Sequence, residues 1–327
     1  MIRLGLQIPS FTYPGVADDA LFERVSDIAL TAEESGFDSI WVMDHFYQLP
    51  LLGPPTLNMM ESYTLLAALA ARTTRVQLGT LVTGVTYRNP AVLAKEVTTL
   101  DVISRGRAVL GIGAAWFDQE HEGYGVPFPS TGERMDRLEE AVQICKAMFT
   151  EESATFDGRY YRVKDAINNP RPIRPDGIPI MVGGGGEKRT LRIVATYADV
   201  CNLFGPPDEV RHKLDVLARH CEAVGRDRKT INKTRLGTMF IGKTHEAAEA
   251  KLEEQLAARG MNLSTMDDAT RQAVAGMFHV GGPDEIAAQV HELLDTGLDG
   301  LIFNLIDAHD LEAVALAGSV LKPLLVK

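Results

Sequence analysis

Two side chains able to handle a proton stand next to each other at Asp44-His45, within the run Trp41-Val42-Met43-Asp44-His45-Phe46. An imidazole changes charge near neutral pH, so His45 can donate a hydrogen bond or a proton to a reacting group. A loop-capping Asp with a His beside it explains the pair equally well. Two glycine-bearing runs follow. Leu78 to Pro90 reads LGTLVTGVTYRNP, with glycines inside and just after a β-like stretch. That pattern marks a bulge or a flat ligand against bare backbone, and a plain strand-to-loop transition accounts for it as readily. Gly111-Ile112-Gly113-Ala114-Ala115-Trp116 has Trp116 where a dinucleotide fingerprint needs its third glycine. Close approach of a ligand and simple strand packing both remain open there.

The sharpest signal is Ile180-Met181-Val182-Gly183-Gly184-Gly185-Gly186-Glu187-Lys188-Arg189-Thr190, a strand, four glycines and a helix start. Bare N–H groups at a helix N-terminus cradle an anion, and Lys188 and Arg189 add positive charge. Consecutive glycines lose much conformational entropy on folding, so phosphate binding is favoured over a flexible turn. The histidines form no His-x-His or His-Glu-x-x-His, and no Gly-x-Ser-x-Gly occurs. Cys145, Cys201 and Cys221 are far apart and without ligand spacing. Neither a metal site nor a disulfide framework is expected.

The elements that position these groups are short β runs alternating with helical ones, the pattern of parallel strands with helical crossovers. Candidate strands are Arg3–Ile8, Asp38–Met43, Val76–Val82, Ala108–Gly113, Pro179–Gly183, Val200–Phe204, Arg235–Ile241 and Gly300–Ile306. About eight such strands close a (β/α)₈ TIM barrel, whose active site lies at the C-terminal strand ends. Asp18 is an expected cap for the helix ending at Gly36, and Asn89-Pro90 fits an N-cap followed by Pro at N1. Met135, Leu138, Val142, Cys145 and Phe149 make one apolar stripe. Two insertions are expected at the C-terminal face: a hairpin with an Asp-Gly turn over Thr155–Tyr161, and a partly helical segment from about Asn262 to Met277.

The chain of 327 residues is expected to form one domain over 1–327, with 45% hydrophobic and 24% charged residues, as in ordinary globular proteins. The net charge of −11 and the lack of a basic stripe argue against nucleic acid. No apolar run of about 18 residues suggests a membrane span. The start, MIRLGLQIPSF, has no signal-peptide pattern, so a cytoplasmic protein acting on a small molecule is expected.

Taken together, the Trp41–Phe46 run, Leu78 to Pro90, Gly111-Ile112-Gly113, Gly132-Glu133-Arg134 with Arg137-Leu138, and Val182 to Gly186 resemble the luciferase-like monooxygenase superfamily over nearly the whole chain. The likeness is to its coenzyme F420-dependent oxidoreductase branch. It implies a luciferase-like barrel with the deazaflavin ring at the mouth and its phosphate in the glycine loop. His45 is then the catalytic proton donor or hydrogen-bonding group. Asp44, Leu81, Val82, Thr83, Gly84, Gly113, Trp116, Gly183, Gly184, Gly185 and Gly186 are the implied cofactor contacts, with a cis peptide between Leu81 and Val82. Where sugar-phosphate dehydrogenases of this branch carry catalytic Glu residues, this chain has Phe11 and Trp116. Ala115 and Phe117 replace an expected Gly and Asn, which makes the pocket more apolar. The implied chemistry is hydride transfer, as a dehydrogenase or reductase, by a homodimer. Alternatives are an FMN-dependent monooxygenase supplied with reduced flavin, and a flavin-binding protein without turnover.

Overall fold

The computed structural model describes residues 1–258, 261, 267 and 276–325, so most of the insertion expected at about Asn262–Met277 lies outside the described residues. In chain order the elements begin β1 (Leu4–Ile8), α1 (Leu21–Ser35), β2 (Ser39–Val42), α2 (Ser62–Arg72), β3 (Gln77–Thr80), β4 (Thr83–Gly84), α3 (Pro90–Ser104) and β5 (Ala108–Gly113). Next come α4 (Asp118–Tyr124), α5 (Thr131–Thr150), β6 (Ala154–Asp157), β7 (Arg162–Ala166), β8 (Ile180–Gly183), α6 (Thr190–Tyr197), β9 (Val200–Leu203) and α7 (Pro207–Ala223). The rest are β10 (Asn232–Ile241), α8 (His245–Ala257), β11 (Phe278–Gly281), α9 (Pro283–Leu294), β12 (Gly300–Leu305) and α10 (Leu311–Leu325).

The strand order β10-β12-β1-β2-β3-β5-β8-β9, with β9 also paired to β10, is that of a closed eight-stranded (β/α)₈ barrel. All eight expected strands are present. The expected Val76–Val82 strand is shorter than read: β3 stops at Thr80, and β4 resumes at Thr83, on β5. One strand was missed, β11, which lies parallel to β10 with Thr238 opposite Phe278.

By contacts the chain divides into two compact units, Met1–Ile40 with Tyr47–Met60 and Arg235–Lys327, and Trp41–Phe46 with Glu61–Thr234. In the first, every residue of β1 is buried and pairs with an almost wholly buried β12. Parallel strands covered on both faces read as apolar runs for this reason. The helix α1 ends as expected, at Gly36 with φ 105°. Its start differs: Asp18 opens a 3₁₀ turn and accepts from Asn58 Nδ2 at 2.9 Å, while α1 begins at Leu21 without a side-chain cap.

In the second unit β5, β8 and β9 pair in parallel through Leu110–Ile180 and Met181–Val200. Asn89 caps α3, its side chain accepting from Ala91 N with Pro90 next in line. The stripe Met135, Leu138, Val142, Cys145 and Phe149 is buried along α5, as its spacing requires. The hairpin β6–β7 forms, but its loop is Gly158 to Tyr161 and not a two-residue Asp-Gly turn. The Glu140 carboxylate accepts the backbone N–H groups of Arg159, Tyr160 and Tyr161 at 2.8, 3.0 and 2.9 Å, which fixes the longer loop.

Candidate active site

Every expected catalytic or cofactor-contacting residue belongs to the second unit. His45 follows β2 and is 15% exposed at its side chain, with Nδ1 2.7 Å from Oε1 of a fully buried Glu120 on α4. The carboxylate also accepts Phe46 N at 2.8 Å and the Tyr87 hydroxyl. Burial pushes the Glu120 carboxyl up, but hydrogen bonds and charge from His45, with those from Tyr87 and Phe46, outweigh it and hold the group below the usual carboxylate range. An ionised Glu120 places the proton on Nδ1 of a neutral His45. The other nitrogen, Nε2, makes no hydrogen bond among the described residues.

Asp44 is 2% exposed. Its two oxygens accept from Ser62 Oγ at 2.7 Å, Gly84 N at 3.3 Å, and Arg88 Nη1 and Nη2 at 2.7 and 3.1 Å. Those four donors use the four lone-pair positions of a carboxylate. Asp44 therefore ties α2, Gly84 and Arg88 together, and its carboxylate is committed to protein. Arg88 completes the cluster with Glu61 at 2.7 Å and Glu96 at 3.3 Å. Burial disfavours the Arg88 charge, but Asp44 and then Glu61 more than offset it and push its pKa up.

Between β3 and β4 the Leu81–Val82 peptide is cis. Thr83 is tied from behind: its Oγ1 lies 2.6 Å from Tyr63 Oη and 2.7 Å from Thr80 Oγ1, and Thr80 donates to Gly111 O at 2.9 Å. The Val82 side chain occupies the hollow left by three glycines. A Cβ added at Gly113 would lie 2.8 Å from Val82 Cγ2, and one at Gly183 or Gly111 would lie 2.9 or 3.3 Å from Cγ1. Bare backbone at Gly113 thus makes room for Val82, which remains half-buried.

Trp116 is 60% exposed and Phe117 is 5% exposed. Their rings stack at 5.3 Å and 27°, and Trp116 also meets the His45 ring edge-on at 5.8 Å. The chain turns here through Ala115, at φ 60°. Phe11, the other departure seen in the sequence, is fully buried in the first unit.

The glycine loop leaves β8 through Gly184, at φ 121°, whose N–H donates to Asn202 O at 3.1 Å. The N–H groups of Gly185, Gly186, Glu187 and Lys188 make no hydrogen bond among the described residues. Of the two cations expected beside the loop, Arg189 is turned away to protein acceptors, donating to Gly132 O at 3.0 Å and Asp136 at 2.5 Å, while Lys188 is exposed. Lys213 of α7, not expected, also stands there, 2.8 Å from Glu187, with its Cε 3.6 Å from where a Gly185 Cβ would be. Glu120, Tyr87, Arg88 and Lys213 were all missed in the sequence. Tyr87 and Arg88 lay inside the Leu78 to Pro90 run, and Glu120 in the first turn of α4, the helix after β5, was the legible hint for the carboxylate.

The chain belongs to the luciferase-like monooxygenase family, whose model matches its residues 2–300. An F420-dependent glucose-6-phosphate dehydrogenase of Kineococcus radiotolerans is 33% identical over 309 residues, 89% of this chain and 90% of its own. A solved monooxygenase of Streptomyces bottropensis shares the fold with TM-score 0.82 at 22% identity, over 99% of both chains. A coenzyme F420-dependent tetrahydromethanopterin reductase of Methanopyrus kandleri does so with TM-score 0.78 at 19% identity, again over 99% of both. Among the described residues no helix is long and apolar enough to cross a membrane, and no His/Cys/Asp/Glu cluster could hold a metal ion.

Proposed function

We propose that the chain is an F420-dependent oxidoreductase, a dehydrogenase or reductase of a small organic substrate, in which His45 exchanges the proton that accompanies hydride transfer. The observation that carries this reading is the His45–Glu120 pair: Nδ1 is held at 2.7 Å, and Nε2 is left to face a reacting group. The 33% identical relative supports the cofactor assignment.

The residues fit a deazaflavin. Val82 is a half-buried apolar surface braced by three glycines, with Leu81, Thr83 and Gly84 around it. Gly183, Gly184, Gly185 and Gly186 offer bare backbone to a phosphate, with unpaired N–H groups from Gly185 onward. When bound, the deazaflavin supplies a two-electron hydride carrier. His45 holds or gives the proton at Nε2, Glu120 fixes its tautomer, and Asp44 positions Gly84. Trp116 and Phe117 each meet the imidazole in a T-shaped contact, at 5.8 and 6.0 Å.

The three buried free cysteines suit a reducing compartment, in keeping with a cytoplasmic protein. A single luciferase-like domain assembled as a homodimer completes the proposal, and light scattering tests the assembly. Titration of the purified protein tests the cofactor. F420 is expected to bind at least about tenfold tighter than FMN, a difference of about 1.4 kcal/mol. Equal or reversed affinities overturn the F420 reading in favour of the FMN monooxygenase.

A further inference from the structure

The substrate side of the histidine is aromatic, and the arginines Arg88, Arg134 and Arg189 of this unit are already engaged. Trp116 stacks on Phe117 and makes a T-shaped contact with His45, yet stays 60% exposed, so much of its ring surface is open. An exposed indole beside a proton-transferring group is a platform for a flat apolar ligand, because offset stacking favours a second ring at such a face. Arg88 is shared among three carboxylates, Asp44, Glu61 and Glu96. Arg134 donates to Ala114 O at 3.1 Å and to Pro129 O, and lies over the Phe128 ring at 3.9 Å. Arg189 is held by Asp136. A substrate phosphate needs a donor that these side chains have already given away.

We propose that the substrate is a neutral aryl ketone, or the corresponding aryl carbinol, stacked on Trp116 with its oxygen at His45 Nε2, and not a sugar phosphate. This rests on the F420 reading above. In the reducing direction the carbonyl carbon receives a hydride, with its electron pair, from the reduced deazaflavin. The oxygen takes a proton from Nε2 of an imidazolium His45. The ketone becomes a secondary alcohol, the deazaflavin is oxidised, and His45 is left neutral, its Nδ1 proton still its own and donated to the Glu120 carboxylate.

The test compares kcat/KM for acetophenone, acetone and their alcohols, with glucose 6-phosphate as the charged competitor, in the F420-loaded enzyme. The ratio of acetophenone to acetone cancels any effect on the cofactor. The parent is expected to prefer acetophenone, Trp116→Ala to lower that ratio about tenfold, and Trp116→Phe to keep it within about threefold. A ratio unchanged in Trp116→Ala, or a parent that prefers glucose 6-phosphate, overturns the proposal. A parent that binds no F420 overturns the cofactor reading alone. Saturation-transfer NMR of 1-phenylethanol on the protein without cofactor then decides the substrate class: ring-proton saturation lost in Trp116→Ala supports it, and saturation unchanged overturns it.

Discussion

His45 Nδ1 and Glu120 Oε1 lie 2.7 Å apart, the carboxylate fully buried and the imidazole side chain 15% exposed. The buried partner has its pKa lowered because His45, Tyr87 and Phe46 N together outweigh desolvation. Glu120 thus stays charged to lower pH in the folded chain than in the unfolded one. The stability it contributes is present above the unfolded carboxylate pKa and is lost as pH falls through the lower folded value. Glu120→Gln is expected to cost about 2 kcal/mol at neutral pH. Urea denaturation across pH should show the gap between parent and variant closing on acidification. A gap that widens toward low pH contradicts the assignment.

With its tautomer set by Glu120, His45 has one nitrogen for chemistry. Replacing it by Ala removes the proton donor and leaves the glycine loop and Val82 in place. kcat should fall about 10²-fold, with F420 affinity nearly unchanged. An unaltered kcat returns His45 to a packing role.

Much of the frame was legible because parallel barrel strands are buried on both faces and read as apolar runs, and Gly36 and Asn89-Pro90 punctuate helices in a way sequence alone reveals. The site was legible only in part. Asp44 and His45 stood out as a pair, but nothing in one dimension showed that Asp44 spends its oxygens on Ser62, Gly84 and Arg88. Glu120 lies 75 residues from His45, and only the approach of α4 to the loop after β2 joins them. Gly113 looked available to a ligand because a glycine's neighbour across strands, here Val82, cannot be read from spacing.

Asp44 and Arg88 test that tertiary cluster. Asp44→Asn breaks a buried ion pair while Arg88 keeps Glu61 and Glu96. The expected loss is about 3 kcal/mol, at the low end for such pairs. Chemical denaturation measures it. A variant as stable as the parent shows that Glu61 and Glu96 suffice.

Val82 and Gly113 make a reciprocal pair. Gly113→Ala sets a Cβ 2.8 Å from Val82 Cγ2. Overpacking of this kind costs roughly 1–3 kcal/mol. Val82→Ala in the same chain opens the hollow and should recover most of that loss, a coupling of about 1 kcal/mol or more in a double-mutant cycle. Additive effects would falsify the view that the glycine exists to admit the valine.

The glycine loop separates backbone strain from ligand approach because two of its members differ. Gly184 sits at φ 121°, a conformation L side chains rarely adopt, so Gly184→Val combines strain with bulk. Gly185 has no such φ, and a Cβ there meets Lys213 Cε at an ordinary 3.6 Å. Gly185→Val should therefore melt close to the parent temperature and keep its circular dichroism, while its branched side chain covers the free N–H groups. F420 affinity is expected to fall at least about tenfold in Gly185→Val, which corresponds to about 1.4 kcal/mol of lost binding. Lys213→Ala should act in the same direction and weaken as salt is raised, since it removes a charge and not a shape. If Gly185→Val folds as the parent does and binds F420 equally well, the phosphate is held away from Gly183 to Gly186.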